Sequence, residues 1–384
     1  MRIAVLMSIV SPWSRQLVYR LRKLGHEIVI IDFAQPRCGS YIDDAARRHA
    51  EDLERLCGAA NGLVMLNTRF KSSLRYVTCA RRVRSACHRH GADVLLALYG
   101  GGFAILALLS GIRPYAAYVV GTDILEARGF QRWLTSRALL RASAVFANGD
   151  YLAEKTRELT PHAQITPLVM GIDPQRFQRR AVPRPKATVL CTRGFLPVYN
   201  NELIVQALRY VPPECPAFDV VFSAGGPQLD GVRRTADRVL PASIRPNVTF
   251  LDGISDDEML THLQTAEVFV SMSRSDGTSI SLLEAMSCGI FPILSDIPQN
   301  RCWVQPQLGN GILVSLDAPA DLAQAVAQAL MDERRRAHAA GVNRRIILER
   351  ADAHKNTALL ASQLTHTVSH ALARKAAKCC STTN

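Results

Sequence analysis

At 384 residues, with 48% hydrophobic and 21% charged side chains, the chain has the size and composition of a two-domain globular protein. Its ten cysteines include no Cys-x-x-Cys pair and no neighbouring His at ligand spacing, which argues against a zinc site and against a disulfide framework. The net charge of +13 asks for an anionic partner, whether nucleic acid, an acidic membrane face or a charged acceptor.

The opening MRIAVLMSIV lacks the basic lead and small-residue cleavage site of an export signal, and predicts a buried strand over residues 3–9. With no apolar run long enough to span a bilayer, a cytoplasmic protein is expected. Apolar periodicity predicts a helix over 13–24 closed by Gly25 and a strand over 27–32, the start of a doubly wound parallel sheet. Residues 37–58 are polar and at most helical, and 63–66 predict another strand. Between Arg69 and His90 the chain carries Arg69, Lys71, Arg75, Arg81, Arg82, Arg84 and Arg89 without an acid. A second acid-free stretch, 127–149, adds Arg128, Arg132, Arg137 and Arg141. Each serves as a solvated helix face or as a docking surface. Neither interleaves the aromatic residues that would stack bases, so an anionic membrane is preferred over nucleic acid.

A strand over 94–99 ends at Gly100-Gly101-Gly102, a run that suits a ligand-lining loop and a tight turn equally well. Strands over 118–120, ending at Gly121-Thr122-Asp123, and over 144–147 follow, and 166–171 completes a first domain of residues 1–177. Residues 178–187, rich in Pro and Arg, read as a linker. The pattern then restarts in a second domain, 188–350. A strand over 188–192 ends at Arg193, placed to meet a phosphate as a bidentate donor, and a helix over 201–210 follows. Strands over 219–223, before Ala224-Gly225-Gly226-Pro227, and over 248–251, before Asp252-Gly253-Ile254, come next. Beyond 350 a terminal helix runs into a basic tail that frays from 378 and holds Cys379-Cys380.

The densest chemistry lies in 271–302, SMSRSDGTSISLLEAMSCGIFPILSDIPQNRC. Asp276 and Glu284 stand eight positions apart; Gly277, Thr278 and Ser279 follow the first acid, and a helical pattern leads to the second. Small residues let backbone approach a ligand, and the first N–H groups of the helix favour an anion. Glu284, about two turns along, can accept from paired hydroxyls such as those of a ribose. The plainer assignment makes Asp276 a cap and Glu284 a solvated helix residue.

The stretch resembles the donor-site signature of the retaining nucleotide-sugar glycosyltransferases of family 4: two bracketing acids, then Glu284-Ala285-Met286-Ser287-Cys288-Gly289 and Pro292-Ile293-Leu294-Ser295-Asp296. The resemblance implies a GT-B fold, two Rossmann-like doubly wound parallel-sheet domains facing across a cleft, with a terminal helix crossing back. It implies that Arg193 and the N–H groups of Gly277, Thr278, Ser279, Ile280 and Ser281 hold the donor diphosphate. Asp276 would bind sugar hydroxyls, Glu284 the ribose, and Ile254 the base. No metal or cofactor is implied, the donor being a UDP- or GDP-sugar and the acceptor a lipid-linked or surface-polysaccharide glycan.

Three features depart from the family. Asp276 stands where Glu is usual, and Pro197-Val198-Tyr199-Asn200 where a second cation follows the Arg. Leu98, Tyr99 and Val120 stand where a first-domain His is usual, which leaves Asp123 as the acceptor-side catalytic candidate. The alternatives to a transferase are a sugar-nucleotide epimerase and a catalytically idle GT-B binding module.

Overall fold

The computed structural model describes residues 1–33, 62–66, 74–180, 182 and 185–381. The helix expected over 37–58, and Arg69 and Lys71 of the first basic stretch, lie outside them. The chain divides into two compact units, Met1–Met170 with His354–Asn384, and Gly171–Ala353.

The first unit is built on seven strands: β1 (Arg2–Met7), β2 (Glu27–Asp32), β3 (Leu63–Met65), β4 (Val94–Ala97), β5 (Tyr115–Val119), β6 (Ala144–Ala147) and β7 (Ile165–Pro167). Their order is β3-β2-β1-β4-β5-β6-β7, and every neighbouring pair is parallel. β1 is apolar at five successive positions because helices cover both faces of the sheet. Ala4, Leu6, Leu95 and Ala97 face helices Leu74–Arg89 and Gly102–Ser110, and Ala117 and Val119 face helix Gly129–Arg141. On the other face Ile3, Val5 and Met7 pack with Leu17 and Leu21 of helix Pro12–Lys23 and with Leu360, Ala361 and Leu364 of helix Ala353–Ser381. Full burial of each such aliphatic side chain contributes about 1.5–3 kcal/mol.

The second unit has six parallel strands: β8 (Ala187–Cys191), β9 (Phe218–Phe222), β10 (Val248–Phe250), β11 (Val268–Ser271), β12 (Phe291–Ser295) and β13 (Ile312–Val314). They run in the order β10-β9-β8-β11-β12-β13. The direction of winding reverses between β8 and β11, which pair at Val268 with Val189 and Phe269 with Leu190. In open parallel sheets a crevice opens at that reversal, beyond the carboxyl ends of the strands. Arg193 follows β8 and Asp276 follows β11, so topology brings the two together.

The change of unit falls at Met170 and Gly171, ahead of the segment 178–187 read as a linker. Residues 171–177, assigned to the first domain from sequence, are held by the second unit. Ile172 bridges to Asp352, Ser287 Oγ donates to the Phe177 carbonyl, and Arg344 donates to the carbonyls of Pro174 and Phe177. Arg180 N–H donates to the Gln264 carbonyl, so the start of the expected linker is also anchored. These carbonyls need donors, and side chains far along the chain supply them.

Candidate active site

Arg193 leaves β8 into a loop that turns through Pro197–Tyr199 and reaches the left-handed conformation at Asn200 (φ 53) before helix Asn201–Leu208. Asn201 Nδ2 donates to the carbonyls of Arg193 and Gly194, fixing the start of that loop. The loop after β11 is tied to it: Arg274 N–H donates to the Val198 carbonyl, and Arg274 Nη2 to Asn200 Oδ1. On the other side Phe195 N–H donates to the Gly225 carbonyl after β9. A Cβ on Gly225 would sit 2.6 Å from Asp252 Oδ1, and one on Gly226 2.8 Å from the Phe195 backbone nitrogen, so these glycines permit the close approach of three loops. Ile254, half-buried, follows Asp252 and Gly253, both at positive φ, in the third of them.

The Arg193 guanidinium is the centre of the cluster. Its Nη2 pairs with Asp276 Oδ2 at 2.8 Å, with side-chain exposures of only 11% and 16%. Nη1 donates to Ser279 Oγ at 3.1 Å and, at 3.5 Å, to Ser281 Oγ. Tyr199 lies under the guanidinium, 4.1 Å from ring centroid to Cζ. The remaining donor, Nε, is buried and has no acceptor among the described residues. A buried donor left without a partner costs about 1–3 kcal/mol. The guanidinium is held in place by the other contacts while this demand stays unmet.

Helix Ile280–Ser287 starts beside it, with Ser279 Oγ accepting from Leu282 N–H as an N-cap. Gly277 N–H donates to Asp276 Oδ1. Burial pushes the Asp276 carboxyl up, against the downward pull of Arg193 and this N–H. Glu284 lies one turn further along the helix. Burial pushes its carboxyl up to about 7, with Arg176 opposing and Asp256 adding to the rise. No hydrogen bond to its carboxylate is made among the described residues.

Arg193, Asp276, Ser279 and Ser281 thus form one cluster, with Gly277, Thr278 and Ile280 in the connecting backbone and Glu284 on the same helix. The structure pairs Asp276 directly with Arg193, a contact the spacing along the chain does not encode. Tyr199 was missed as a functional side chain. The signal was present, since it occupies the place where relatives put a second cation, and an aromatic face is one of the few groups that can hold a guanidinium flat. Arg176, the strongest charge influence on Glu284, lies in the exit segment and carried no sequence signal.

Asp123, the acceptor-side candidate, lies in the first unit and is held by backbone. It is 1% exposed, and its carboxylate accepts from the N–H groups of Gly100 (2.6 Å), Gly121 (2.7 Å) and Val120 (3.1 Å). Burial pushes its carboxyl up, and these N–H groups oppose the rise. The side chain staples the loop after β4 to the loop after β5, which explains Gly100: a Cβ there would meet Asp123 Oδ2 at 2.9 Å.

Among the described residues no group of three or more His, Cys, Asp or Glu side chains is placed to hold a metal ion, and no helix is long and apolar enough to cross a membrane.

Residues 173–345 match the family model of the glycosyl transferases group 1, a span lying within the second unit. Together with the two parallel sheets, this gives the molecule the GT-B fold, with a second unit similar to that group. The chain is similar to a GDP-mannose:cellobiosyl-diphosphopolyprenol alpha-mannosyltransferase of Xanthomonas oryzae pv. oryzae, with 26% identity over 62% of this chain and 59% of the relative. It is also similar to a GDP-mannose-dependent alpha-(1-6)-phosphatidylinositol monomannoside mannosyltransferase of Mycobacterium tuberculosis, with 27% identity over 46% of this chain and 49% of the relative. The aligned region therefore spans about half to three fifths of these two relatives. Among solved structures, a glycosyltransferase from Rickettsia africae ESF-5 superposes with a TM-score of 0.78 at 11% identity, covering 96% of this chain and 98% of that one.

Proposed function

We propose that the chain is a retaining, metal-independent hexosyltransferase that moves a sugar from a nucleotide-sugar donor to a lipid-linked or surface-polysaccharide acceptor. It would work in the cytoplasm, peripheral on the inner face of the membrane, with the basic residues Arg81, Arg82 and Arg84 of the first unit meeting anionic lipid. Both mannosyltransferases named above use GDP-mannose and lipid-linked acceptors, which favours a guanosine donor and mannose over a UDP-sugar. The observation that carries the reading is the Arg193 cluster, a buried guanidinium at the topological reversal with a donor, Nε, still lacking an acceptor.

On this reading the donor diphosphate takes the Nη1 side of Arg193 and the N–H groups from Thr278 to Ser281, at the positive end of the helix, with Gly277 N–H held by Asp276. Asp276 holds the guanidinium from its Nη2 side and accepts from sugar hydroxyls, Tyr199 keeps it flat, and Glu284 accepts from the ribose. Ile254 lies against the base. The bond from the anomeric carbon to the phosphate oxygen breaks, an acceptor oxygen bonds to that carbon on the same face, and the acceptor proton passes to the departing phosphate. Negative charge grows on the nucleotide as it leaves, and preorganised donors stabilise it without reorganisation. Asp123 supports the loops of the first unit and takes no proton.

The test is calorimetric binding of GDP, UDP and ADP to the full chain without metal, beside Glu284→Ala, followed by product analysis from GDP-mannose with and without a polyprenyl-diphosphate glycan. Binding of one nucleotide that Glu284→Ala weakens, and turnover only with acceptor, are expected. Conversion of the donor alone would make it an epimerase, binding without turnover an idle module, and no binding at all removes the donor site.

A further inference from the structure

A surface helix ordinarily turns its polar residues outward. Helix Gly129–Arg141 also turns large apolar residues outward, with aromatic rings among its arginines, against the expectation from the sequence that the acid-free stretches interleave none. Thr135, Ala138 and Leu139 face the core, while Phe130 is 73% exposed, Trp133 55% and Leu140 39%. At helical spacing these three share one outer stripe with Arg137 and Arg141. The Phe130 and Trp133 rings stack at 5.6 Å with an interplanar angle of 18°, and the Arg137 guanidinium lies 5.9 Å from the Trp133 ring. Arg128 and Arg132 are exposed beside them.

The neighbouring helices continue the pattern. Gly102–Ser110 packs against both Gly129–Arg141 and Leu74–Arg89, and exposes Leu109 at 47%. Leu74–Arg89 exposes Val77, Arg81 and Arg84, and Arg84 Nη1 reaches within 3.7 Å of the Cβ position of Gly111. None of the three helices contains an acidic residue.

We propose that this helical layer is a membrane-docking surface. The Phe130–Trp133 pair enters the headgroup region of an anionic bilayer, and the surrounding arginines meet its phosphates. This deepens the membrane-surface part of the function proposed above and rests on it. Aromatic rings favour the bilayer interface, and each nearby Arg adds about 1 kcal/mol of attraction to an anionic leaflet. The charge pattern selects this occupant. A second copy docked on the same face would bring arginine against arginine. Nucleic acid would use the arginines, but it has no use for Leu109, Leu140 and Val77, and the two rings stack on each other instead of standing open to bases.

The experiment is co-sedimentation of the full chain with vesicles of phosphatidylcholine alone or mixed with phosphatidylglycerol, read beside quenching of tryptophan by brominated lipid. Trp133 is the exposed one of three tryptophans; Trp303 is 3% exposed and Trp13 half-buried. Binding to the anionic vesicles with quenching of Trp133 is expected. The double variant Phe130→Ser and Trp133→Ser should weaken it by more than about tenfold, while Trp133→Phe restores most of it and keeps the anchor without the fluorophore. Arg137→Gln with Arg141→Gln should cost about fivefold per charge, and added salt should act the same way. Anionic-vesicle binding that the double Ser variant leaves unchanged overturns the proposal. So does a failure to bind vesicles at all, or self-association in sedimentation velocity that the double variant abolishes. GDP calorimetry on the same preparations separates the two readings. Docking without nucleotide binding would sink the transferase reading alone, and nucleotide binding without docking would sink this one.

Discussion

Replacing Glu284 with Gln isolates a conflict between stability and ligand recognition within a single side chain. The folded protein holds the Glu284 proton up to about pH 7, against an ordinary 4.5. Between those values the folded state binds more protons than the unfolded chain, so stability falls as pH rises through this window and the loss is complete above it. A gap of about two and a half pH units, at 1.36 kcal/mol each, gives about 3 kcal/mol. This is an upper value, because the residue is partly exposed. Gln keeps the shape and carries no charge, so without nucleotide Glu284→Gln should be more stable than wild type by up to about 3 kcal/mol at about pH 8. At about pH 5 the gain should shrink below about 1 kcal/mol. For a unit of this size the gain at the higher pH corresponds to about 6–12 °C in melting temperature. Urea and thermal unfolding of both proteins at the two pH values measures it. Equal stabilisation at both, or a less stable variant at the higher pH, would refute the reasoning, since either means that the buried charge is not what limits stability here.

The same carboxylate predicts the pH dependence of binding. Only its ionised form accepts from both ribose hydroxyls, so GDP affinity should rise between about pH 6 and about pH 8 in wild type, and isothermal titration should find it weaker and pH-independent in Glu284→Gln. Arg193→Ala should lower turnover with GDP-mannose by orders of magnitude, and Arg193→Lys should restore little, because an ammonium cannot pair with Asp276, bond two serine hydroxyls and lie flat on Tyr199 at once. A rate within a few-fold of wild type for either variant excludes the phosphate clamp. Asp123→Asn should destabilise the first unit by about 1–3 kcal/mol, since the amide NH2 puts a donor where a carboxylate oxygen accepted from backbone N–H groups, while turnover per folded molecule stays within a few-fold; a selective loss of turnover would assign Asp123 to catalysis. Turnover should also survive chelation of divalent ions, and a rate that collapses with chelator and returns with magnesium would remove the metal-independent mechanism.

Much of the proposed donor site was legible because its parts are local. Asp276, the small residues after it, the cap Ser279 and Glu284 lie within one loop and one short helix, so their spacing along the chain is nearly their spacing in space. Arg193 was legible for a related reason, standing at the carboxyl end of a strand whose apolar run is unmistakable. Its partners were not. The Arg193–Asp276 pair and the influence of Arg176 on Glu284 join segments tens of residues apart, and no periodicity encodes that distance; the Tyr199 stack is local but depends on how the turn Pro197–Tyr199 folds. Asp123 shows the same limit. A lone acid in a glycine-rich loop suggested chemistry, and nothing in the sequence signalled that three backbone N–H groups from two loops bind its carboxylate. Phe130 and Trp133 were hidden by habit, since aromatic residues on a helix are ordinarily assigned to the core, and only exposure in the folded unit turned them outward.

The sequence by itself determined the two parallel sheets and the donor-site signature, because continuous apolar strands, capped helices and small-residue turns are set by neighbours within a few positions. Only the tertiary structure decided which groups share the site and which merely hold it in shape. It assigned residues 171–177 to the second unit, paired Arg193 with Asp276 and buried Nε without an acceptor among the described residues, because crossover connections and packing act between segments that the chain order keeps apart.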